Sequence, residues 1–238
     1  MNFALILAGG SGTRVGYNTP KQFIDIFGKP VIYYTLEVFE KNSNIDGIGI
    51  VCVESYLDKL KKIVIDNNFT KVKFVTPGGC DFQHSVMNGV KQLENVVKDD
   101  DIILVHYAAS PFVTDDIIND AISVCIEKGN CVSATNYYLL TGNNVENSYS
   151  DKFVDRDKII GLNSPQSFKY SVLKEIYQEG EEKQLLDKVE PHTTSLMFAL
   201  NKKIYFSYGN QTNIKITTKE DLELFKGWVI LNKLKNKD

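Results

Sequence analysis

The chain has 238 residues, a length that suits one sizeable α/β domain. Hydrophobic residues make up 43% and charged residues 24%, so the chain can bury a core and stay soluble. The formal net charge of −3 argues against a general nucleic-acid binder, which would carry a basic surface, but it allows a local basic pocket for a phosphorylated ligand.

The cysteines and the apolar start of the chain bear on where the protein works. The cysteines form no C-x-x-C pair, so there is no zinc knuckle or redox motif, and free thiols in a reducing cytosol are expected at Cys52, Cys80, Cys125 and Cys131. Met1 to Ala8 lacks the basic region of a signal peptide. No run approaches the ~18 apolar residues of a membrane span. We therefore expect a cytoplasmic location and no membrane association.

The first part of the chain alternates apolar runs with amphipathic segments. Short, continuous apolar runs predict strands buried on both faces, at Phe3 to Leu7, Ile48 to Val53, Val72 to Val75 and Ile102 to Val105. The segments between them carry apolar residues at helical spacing. Strands that alternate with helices predict right-handed βαβ units and a mostly parallel sheet.

The later part of the chain is less regular. Asp115 to Ile126 predicts a helix, and Cys131 to Ala134 predicts a strand. A turn-rich stretch within residues 137 to 162 predicts a projecting β-arm. Ile204 to Tyr208 and Asn213 to Ile216 predict two further strands.

The last predicted element is a helix that runs to about Leu234. Thr218 and Asp221 have the spacing of a capping box, which marks a helix start. No internal repeat, low-complexity tract or linker divides the chain. We predict a single domain over residues 1–238, with the arm at about 137–162.

Candidate ligand contacts lie at the carboxyl ends of the predicted strands, where open α/β sheets bind ligands. The first strand runs into Gly9-Gly10-Ser11-Gly12-Thr13-Arg14, and Lys21 follows. Glycines let backbone N–H groups approach a phosphate closely, and the two cations add charge that suits a triphosphate. The alternative is a tight turn with solvated cations, but glycines combined with Arg14 and Lys21 favour a phosphate site.

Two familiar phosphate motifs do not fit this loop. A P-loop requires G-x-x-x-x-G-K-[ST], which the sequence lacks. A dinucleotide fingerprint requires G-x-G-x-x-G and an acidic residue about twenty positions later. Gly10, Gly12 and Gly16 have the wrong last spacing, and Glu54 lies too far along. A nicotinamide-dependent dehydrogenase is therefore a weak interpretation.

Several motifs together resemble one enzyme family. Leu-Ala-Gly-Gly-Ser-Gly-Thr-Arg followed by Pro-Lys-Gln-Phe resembles the 2-C-methyl-D-erythritol 4-phosphate and ribitol-5-phosphate cytidylyltransferases. The resemblance covers nearly the whole chain and returns at Gly78-Gly79, Ser85-Val86, His106 to Phe112, Val154 to Arg156, Ser164 to Phe168 and Asn213 to Thr217. It implies a Rossmann-like α/β nucleotidyltransferase domain that transfers CMP from CTP to a small alcohol phosphate. It also implies Mg²⁺ as cofactor and a homodimer that forms through the arm.

The resemblance implies a role for each matching residue. Three cations are catalytic, holding the triphosphate and stabilising charge at the α-phosphate: Arg14, Lys21 and Lys215. Nucleotide binding is implied for Ala8, Gly9, Gly10, Ser11, Gly12, Thr13, Gly79, Asp81, Ser85, His106 and Tyr107. Acceptor binding is implied for Arg156, Ser110 and Thr135, with the arginine supplied by the partner subunit.

The sequence departs from the family pattern at four positions. Tyr107 stands where the family has the aspartate that helps to hold Mg²⁺, Ser110 and Phe82 replace arginines, and Thr212 replaces an aspartate. A tyrosine cannot act as a hard anionic ligand near neutral pH, because its pKa is about 10. Three explanations remain: the triphosphate and water hold Mg²⁺, the pocket takes an unusual phosphorylated acceptor, or the chain binds nucleotide without catalysis. The retained cations favour the second.

Two smaller points concern the acceptor and the histidines. Three segments are slightly more similar to the ribitol-phosphate branch of the family than to the methylerythritol branch: Lys21 to Phe23, Ser164 to Phe168 and Lys215 to Thr218. His84, His106 and His192 lack the spacing of metal ligands, so we expect them to form structural hydrogen bonds.

Overall fold

The computed structural model describes residues 1–10 and 19–235. The strands within these ranges are β1 (Asn2–Ala8), β2 (Asp25–Ile26), β3 (Lys29–Pro30), β4 (Gly47–Cys52), β5 (Val72–Pro77), β6 (Ile102–Tyr107), β7 (Asn130–Asn136), β8 (Ile160–Lys169) and β9 (Phe206–Tyr208). The helices are α1 (Val31–Lys41), α2 (Leu57–Asp66), α3 (Phe82–Leu93), α4 (Asp115–Lys128), α5 (Tyr170–Glu182), α6 (Thr193–Ala199) and α7 (Lys219–Lys235).

The main sheet has the strand order β5-β4-β1-β6-β8-β7-β9. β1 lies between β4 and β6 and is parallel to both, with Ile6 opposite Ile50 on one side and His106 on the other. β8 is antiparallel to β6 and β7, and β9 is parallel to β7. The predicted Rossmann-like, mostly parallel sheet flanked by helices is confirmed.

Helices cover both faces of this sheet because the side chains of a strand alternate between them. Ile6 of β1 belongs to the core formed with α1, α2 and α4, where it joins the buried Leu36. Leu5 belongs to the opposite core, formed with α3, α5 and α6, which includes Val90 and Leu173. The central strands are therefore buried on both faces, as their continuous apolar sequences predict.

The predicted capping box starts the last helix. Thr218 Oγ1 accepts a hydrogen bond from the N–H of Asp221 at 3.3 Å, and Asp221 Oδ2 accepts one from the N–H of Thr218 at 2.9 Å. These reciprocal bonds satisfy backbone donors that a helix start leaves without a partner. The helix then packs against the main body of the fold, with Phe225 in a cluster that contains Phe112 and Ile216.

Two of the predicted strands differ from the structure. Ile204 to Tyr208 contains a strand only at Phe206–Tyr208. Asn213 to Ile216 forms no strand, because its polar groups have partners outside a sheet. The N–H of Ile216 donates to Ala109 O at 2.8 Å, and the Asn213 side chain donates to Ser164 O at 2.8 Å.

The segment between β7 and β8 corresponds to most of the predicted arm. Isolated antiparallel bridges join Gly142 to Phe153 and Val145 to Tyr149. The segment exposes large apolar side chains, including Leu140 at 86%. This chain therefore leaves much of the arm's apolar surface uncovered. Among the described helices, none has the length and apolar character that crossing a bilayer requires.

Candidate active site

The candidate active site lies beside β1, at the point where the strand order of the main sheet reverses. The sheet continues from β1 through β4 to β5 on one side and to β6 on the other, which creates a crevice at the carboxyl ends of the strands. A cavity of about 330 Å³ occupies this position. It is lined by Leu7, Gly9, Gly10, Lys21, Gln22, Gly79, Cys80, Asp81, Phe82, Ser85, Tyr107, Ala109, Pro191, Lys215 and Thr217. Segments that the sequence separates widely thus meet at one site.

Gln22 fixes the start of the first glycine loop. Its Nε2 donates to Ala8 O at 2.7 Å and to Gly10 O at 3.0 Å, and its side chain is buried. The motif around Lys21 was recognised from the sequence, but this role of Gln22 was not predicted. The predicted contacts Ser11, Gly12, Thr13 and Arg14 lie outside the described residues.

The second glycine segment is packed so closely that a side chain does not fit. A Cβ at Gly79 would lie 2.4 Å from His84 Cβ and 2.6 Å from the His84 carbonyl carbon. The N–H of Gly79 donates to Ser85 Oγ at 3.0 Å, and that hydroxyl donates to Asp81 O at 2.6 Å. Ser85 therefore holds the loop that turns into α3, and it also lines the first cavity, where the family resemblance implies that it binds nucleotide.

Asp81 is the N-cap of α3. It accepts the N–H of His84 at 2.9 Å and lies 2.9 Å from His84 Nδ1. Burial alone raises the pKa of Asp81, but the hydrogen bonds and charge of His84 outweigh burial and hold that pKa below its ordinary value. The carboxylate is thus ionised near neutral pH and faces the first cavity.

Two lysines bring positive charge to the same cavity. Lys21 Nζ donates to Ile216 O at 2.5 Å, which ties the first loop to the segment before α7. Lys215, one residue earlier on that segment, places Nζ 4.1 Å from the centroid of the Tyr107 ring. Both side chains line the first cavity, where cations can stabilise a triphosphate.

Tyr107 occupies the position of the expected metal-binding aspartate and is almost fully buried. Its hydroxyl accepts a hydrogen bond from Gln166 Nε2 at 2.8 Å and contacts His192 Nδ1. Burial raises the pKa of Tyr107 well above its ordinary value, although the bond from Gln166 opposes this shift. Burial and the nearby Lys215 charge lower the pKa of His192. Both side chains are therefore neutral at physiological pH.

Phe82 packs beside this pair. Its ring centroid lies 5.8 Å from that of Tyr107 and 6.1 Å from that of His192. Two of the four departures from the family pattern, Phe82 and Tyr107, thus contact each other and share His192 as a neighbour. An aromatic cluster occupies a region where the family pattern places charges.

A second cavity, of about 410 Å³, adjoins the first. Its lining comprises Tyr107, Leu162, Asn163, Gln166, Glu190, His192, Thr194, Ser195, Phe198 and Lys215. Tyr107 and Lys215 line both cavities and mark their junction. Most of the other lining side chains carry hydrogen-bonding groups, which suits a ligand with several hydroxyls.

His106 and Ser110 lie beneath the site, where sequence reasoning assigned them direct ligand contacts. Both are fully buried, neither lines either cavity, and His106 Nε2 lies 3.0 Å from Ser110 O. Burial lowers the pKa of His106 to about 4, against an opposing effect of the bond to Ser110. The structure therefore differs from the prediction: this pair supports the loop after β6 from below.

The other predicted acceptor contacts, Arg156 and Thr135, are not among the residues that line the two cavities. Arg156 is exposed on the arm and donates to Tyr138 O at 2.8 Å. Thr135 is half-buried on β7 opposite Gly161. Thr212, another departure, bonds to Asn210 Oδ1 at 2.9 Å in an exposed turn. Within the described part of one chain, Arg156 therefore lines neither cavity.

The described donors do not fit a protein-held magnesium ion. Mg²⁺ prefers hard oxygen ligands in octahedral geometry. Cys80, Asp81 and His84 place possible ligand atoms within 4.8 Å of one another, but thiol and imidazole donors suit softer metals. The oxygen donor in this group, Asp81, is already engaged with α3 and His84.

Comparisons with known proteins follow the same motifs along the chain. The family model for 2-C-methyl-D-erythritol 4-phosphate cytidylyltransferase (IspD) matches residues 3–230. The chain is 34% identical to a ribitol-5-phosphate cytidylyltransferase of Lacticaseibacillus paracasei, across 95% of this chain and 97% of the relative. It is 35% identical to a 2-C-methyl-D-erythritol 4-phosphate cytidylyltransferase of Clostridium tetani, across 93% and 87%.

Solved structures share the fold. A 4-diphosphocytidyl-2C-methyl-D-erythritol synthase from Anaerococcus prevotii matches with a TM-score of 0.77 at 23% identity, across 96% of this chain and 95% of that one. The Francisella tularensis 2-C-methyl-D-erythritol 4-phosphate cytidylyltransferase matches with a TM-score of 0.74 at 26% identity, across 95% and 98%. The similarity therefore extends over nearly the full length of both chains.

Proposed function

Because the chain belongs to the 2-C-methyl-D-erythritol 4-phosphate cytidylyltransferase family, we propose that it transfers CMP from CTP to the phosphate of a polyol phosphate. The products are a CDP-alcohol and pyrophosphate. The observation that carries the proposal is the convergence of Lys21 and Lys215 on one cavity with the Gly9-Gly10 and Gly79 segments. Backbone N–H groups and lysines are the donors that a triphosphate requires.

The chemistry follows from the charge of the reactants. An acceptor phosphate has a second pKa of about 6, so near neutral pH it is largely dianionic and needs no general base. One of its oxygens bonds to the α-phosphorus of CTP, and the bond from that phosphorus to the bridging oxygen of pyrophosphate breaks. The main obstacle is repulsion between two anions. Lys21 and Lys215 reduce this repulsion and stabilise charge in the transition state.

The second cavity is the proposed place for the acceptor. Lys215 stands at the junction of the cavities, so one ammonium group can approach both the α-phosphate and the incoming phosphate. The half-buried Asn163 and Ser195 offer polar groups to the hydroxyls of a polyol. Relatives that use ribitol 5-phosphate and relatives that use 2-C-methyl-D-erythritol 4-phosphate have similar identities, so both acceptors are candidates.

Magnesium enters this proposal as part of the substrate. The described lining does not supply a fitting set of oxygen ligands, whereas triphosphate oxygens and water do.

We place the reaction in the cytoplasm, and we assign Arg156 to the acceptor phosphate of the partner subunit in a homodimer. The exposed arm position of Arg156 and the uncovered apolar side chains around it support that arrangement.

The experiment that tests the proposal is pyrophosphate release in the presence of Mg²⁺ and CTP. Ribitol 5-phosphate, 2-C-methyl-D-erythritol 4-phosphate, glycerol phosphates and phosphocholine serve as acceptors, and ATP, GTP and UTP replace CTP as nucleotide controls. We expect release with CTP and one of the polyol phosphates, at least tenfold faster than with the other nucleotides. Release that does not depend on a polyol phosphate would contradict the assignment of the acceptor class.

A binding protein without turnover is the second candidate. Tyr107 in place of the family's aspartate is the observation that favours it. Calorimetric titration separates the two functions, because a binding protein takes up CTP but releases no pyrophosphate with any acceptor. The same titration in Lys215→Ala, with and without Mg²⁺, shows how much of the nucleotide affinity comes from this cation.

A further inference from the structure

A continuous set of hydrogen bonds runs beneath Lys215. The backbone N–H of Thr194 donates to Gln166 Oε1 at 3.0 Å. Gln166 Nε2 donates to the Tyr107 hydroxyl at 2.8 Å, and that hydroxyl contacts His192 Nδ1. The set connects β8, β6 and the start of α6, and it ends at the junction of the two cavities.

The direction of these bonds is fixed by one group that can only donate. Because the Thr194 N–H is a donor, Gln166 must present its oxygen there and its NH₂ group to Tyr107. That NH₂ group also only donates, so the Tyr107 hydrogen is available for His192 Nδ1. An imidazole that accepts at Nδ1 carries its hydrogen on Nε2 when it is neutral. One backbone amide thus fixes the amide orientation, the hydroxyl rotamer and the histidine tautomer.

The backbone that carries His192 is also held in place. Gln83 is buried and its Nε2 donates to Glu190 O at 3.1 Å and to His192 O at 3.0 Å. Tyr177 donates its hydroxyl hydrogen to Gln83 Oε1 at 2.8 Å, which orients that amide. The backbone of His192 therefore cannot shift relative to Tyr107 without breaking a second set of buried hydrogen bonds.

The fixed ring of Tyr107 in turn contacts Lys215. The ammonium nitrogen lies 4.1 Å from the ring centroid, within the range of a cation–π attraction. Phe82 packs against the ring, and Tyr107 itself is almost fully buried, so the ring has little room to rotate. The position of the ammonium group is thereby linked to Gln166 and His192 through a single side chain.

We propose that Tyr107 is a positioning residue, whose ring is fixed by Gln166 and His192 and holds the Lys215 ammonium at the junction of the cavities. The proposal rests on the proposed function, because that function gives Lys215 its role at the α-phosphate. A carboxylate at this position would also attract Lys215, but it would add negative charge facing a triphosphate. The neutral ring attracts the ammonium and leaves its charge available to the phosphates.

Two substitutions at Tyr107 separate the ring from the hydroxyl. Tyr107→Phe keeps the ring but removes both hydrogen bonds, and Tyr107→Leu removes the ring as well. We expect kcat to fall about tenfold in the first, because the ring stays but Gln166 and His192 no longer fix it, and about a hundredfold in the second. The Kd for CTP changes less than threefold in Tyr107→Phe, because the loss concerns the placement of Lys215 during transfer.

The matched control is Tyr170→Phe, at another buried tyrosine, whose hydroxyl donates to Val90 O at 3.2 Å. It loses a buried hydroxyl away from both cavities, so we expect its kcat per folded molecule to remain within twofold of that of the natural chain. A kcat within twofold in both Tyr107 variants would overturn the proposal. So would an equal loss of kcat in the Tyr170 control.

Nuclear magnetic resonance tests the same arrangement without turnover. In protein with ¹⁵N-labelled histidine, we expect the His192 signals, assigned through their loss in His192→Gln, to show hydrogen on Nε2 and an accepting Nδ1. In protein with ¹³C-labelled lysine, the Lys215 ε-methylene, assigned through Lys215→Gln, should be shifted upfield by the ring and lose that shift in Tyr107→Leu. An Nδ1-protonated His192 or an unshifted methylene would overturn the positioning arrangement. Expected spectra in a chain that releases no pyrophosphate would instead show that the proposed function has failed.

Discussion

Single residues decide how this site differs from the family pattern. Local chemistry predicted a phosphate site at Gly9-Gly10 and Lys21, which line the first cavity, whereas Gly79 and Lys215 were implied only by the family resemblance. The contact between Tyr107 and His192 could not be predicted, because the two residues are 85 positions apart and meet only where the N-cap of α6 reaches the last residue of β6. His106 shows the same limit, since it is fully buried beneath the site and its Nε2 lies 3.0 Å from Ser110 O.

His106 makes stability depend on pH. Its pKa is about 4 in the folded state and about 6.5 in the unfolded chain, so only the unfolded chain takes up this proton between those values. The contribution is fully present above about pH 6.5 and is lost as pH falls toward 4. The shift corresponds to about 3 kcal/mol in the free energy of unfolding.

Urea unfolding of the natural chain and His106→Gln at pH 7 and pH 4 measures this contribution. Glutamine can still donate to Ser110 O, and it does not titrate. We expect the natural chain to lose about 3 kcal/mol more than the variant over this interval. Equal losses in both proteins would show that His106 is not buried in its neutral form.

At the scale of helices and strands, the sequence predicts the features that depend only on residues within the same segment. The capping box of α7 and the apolar central strands were predicted correctly, because capping and burial patterns are local. The segment Asn213 to Ile216 has the composition of a strand, but it runs past the site without joining a sheet. Its hydrogen bonds to Ala109 and Ser164 depend on neighbours that a local pattern does not contain.

The caps of two helices provide a matched test of this point. Thr218 accepts a hydrogen bond at the start of α7, whereas Thr114, the N-cap of α4, makes no side-chain capping bond. Thr218→Ala should lower the free energy of unfolding by about 1 kcal/mol, and Thr114→Ala by clearly less. Chemical denaturation measures both. Equal losses would mean that the Thr218 hydroxyl does not stabilise α7.

At the scale of the molecule, the family and the fold were predicted together, because motifs in the right order span nearly the whole chain. The identity of the acceptor was not predicted, because the residues that would select it come from β6, β8, α6 and the arm. Within one chain, Arg156 lies on the arm and lines neither cavity. The homodimer remains a prediction that activity measurements can test.

Complementation between variants tests whether Arg156 acts across subunits. Arg156→Ala and Lys21→Ala chains should each be nearly inactive alone. Mixed dimers contain one site with both natural residues, so a random 1:1 mixture should recover roughly a quarter of the natural activity. The control is the Arg156→Ala chain alone, at the same total protein concentration as the mixture. If mixed dimers isolated by two affinity tags show no recovery, each site is built from a single chain.

The central claim is that an oxygen of the acceptor phosphate attacks the α-phosphorus of CTP. The most direct measurement uses an acceptor whose terminal phosphate oxygens are ¹⁸O, with ³¹P resonance and mass spectrometry of both products. We predict that all three labelled oxygens appear in the CDP-alcohol, one of them bridging the two phosphorus atoms, and that pyrophosphate carries none. Label in pyrophosphate, or a product without a labelled bridge, would contradict the account.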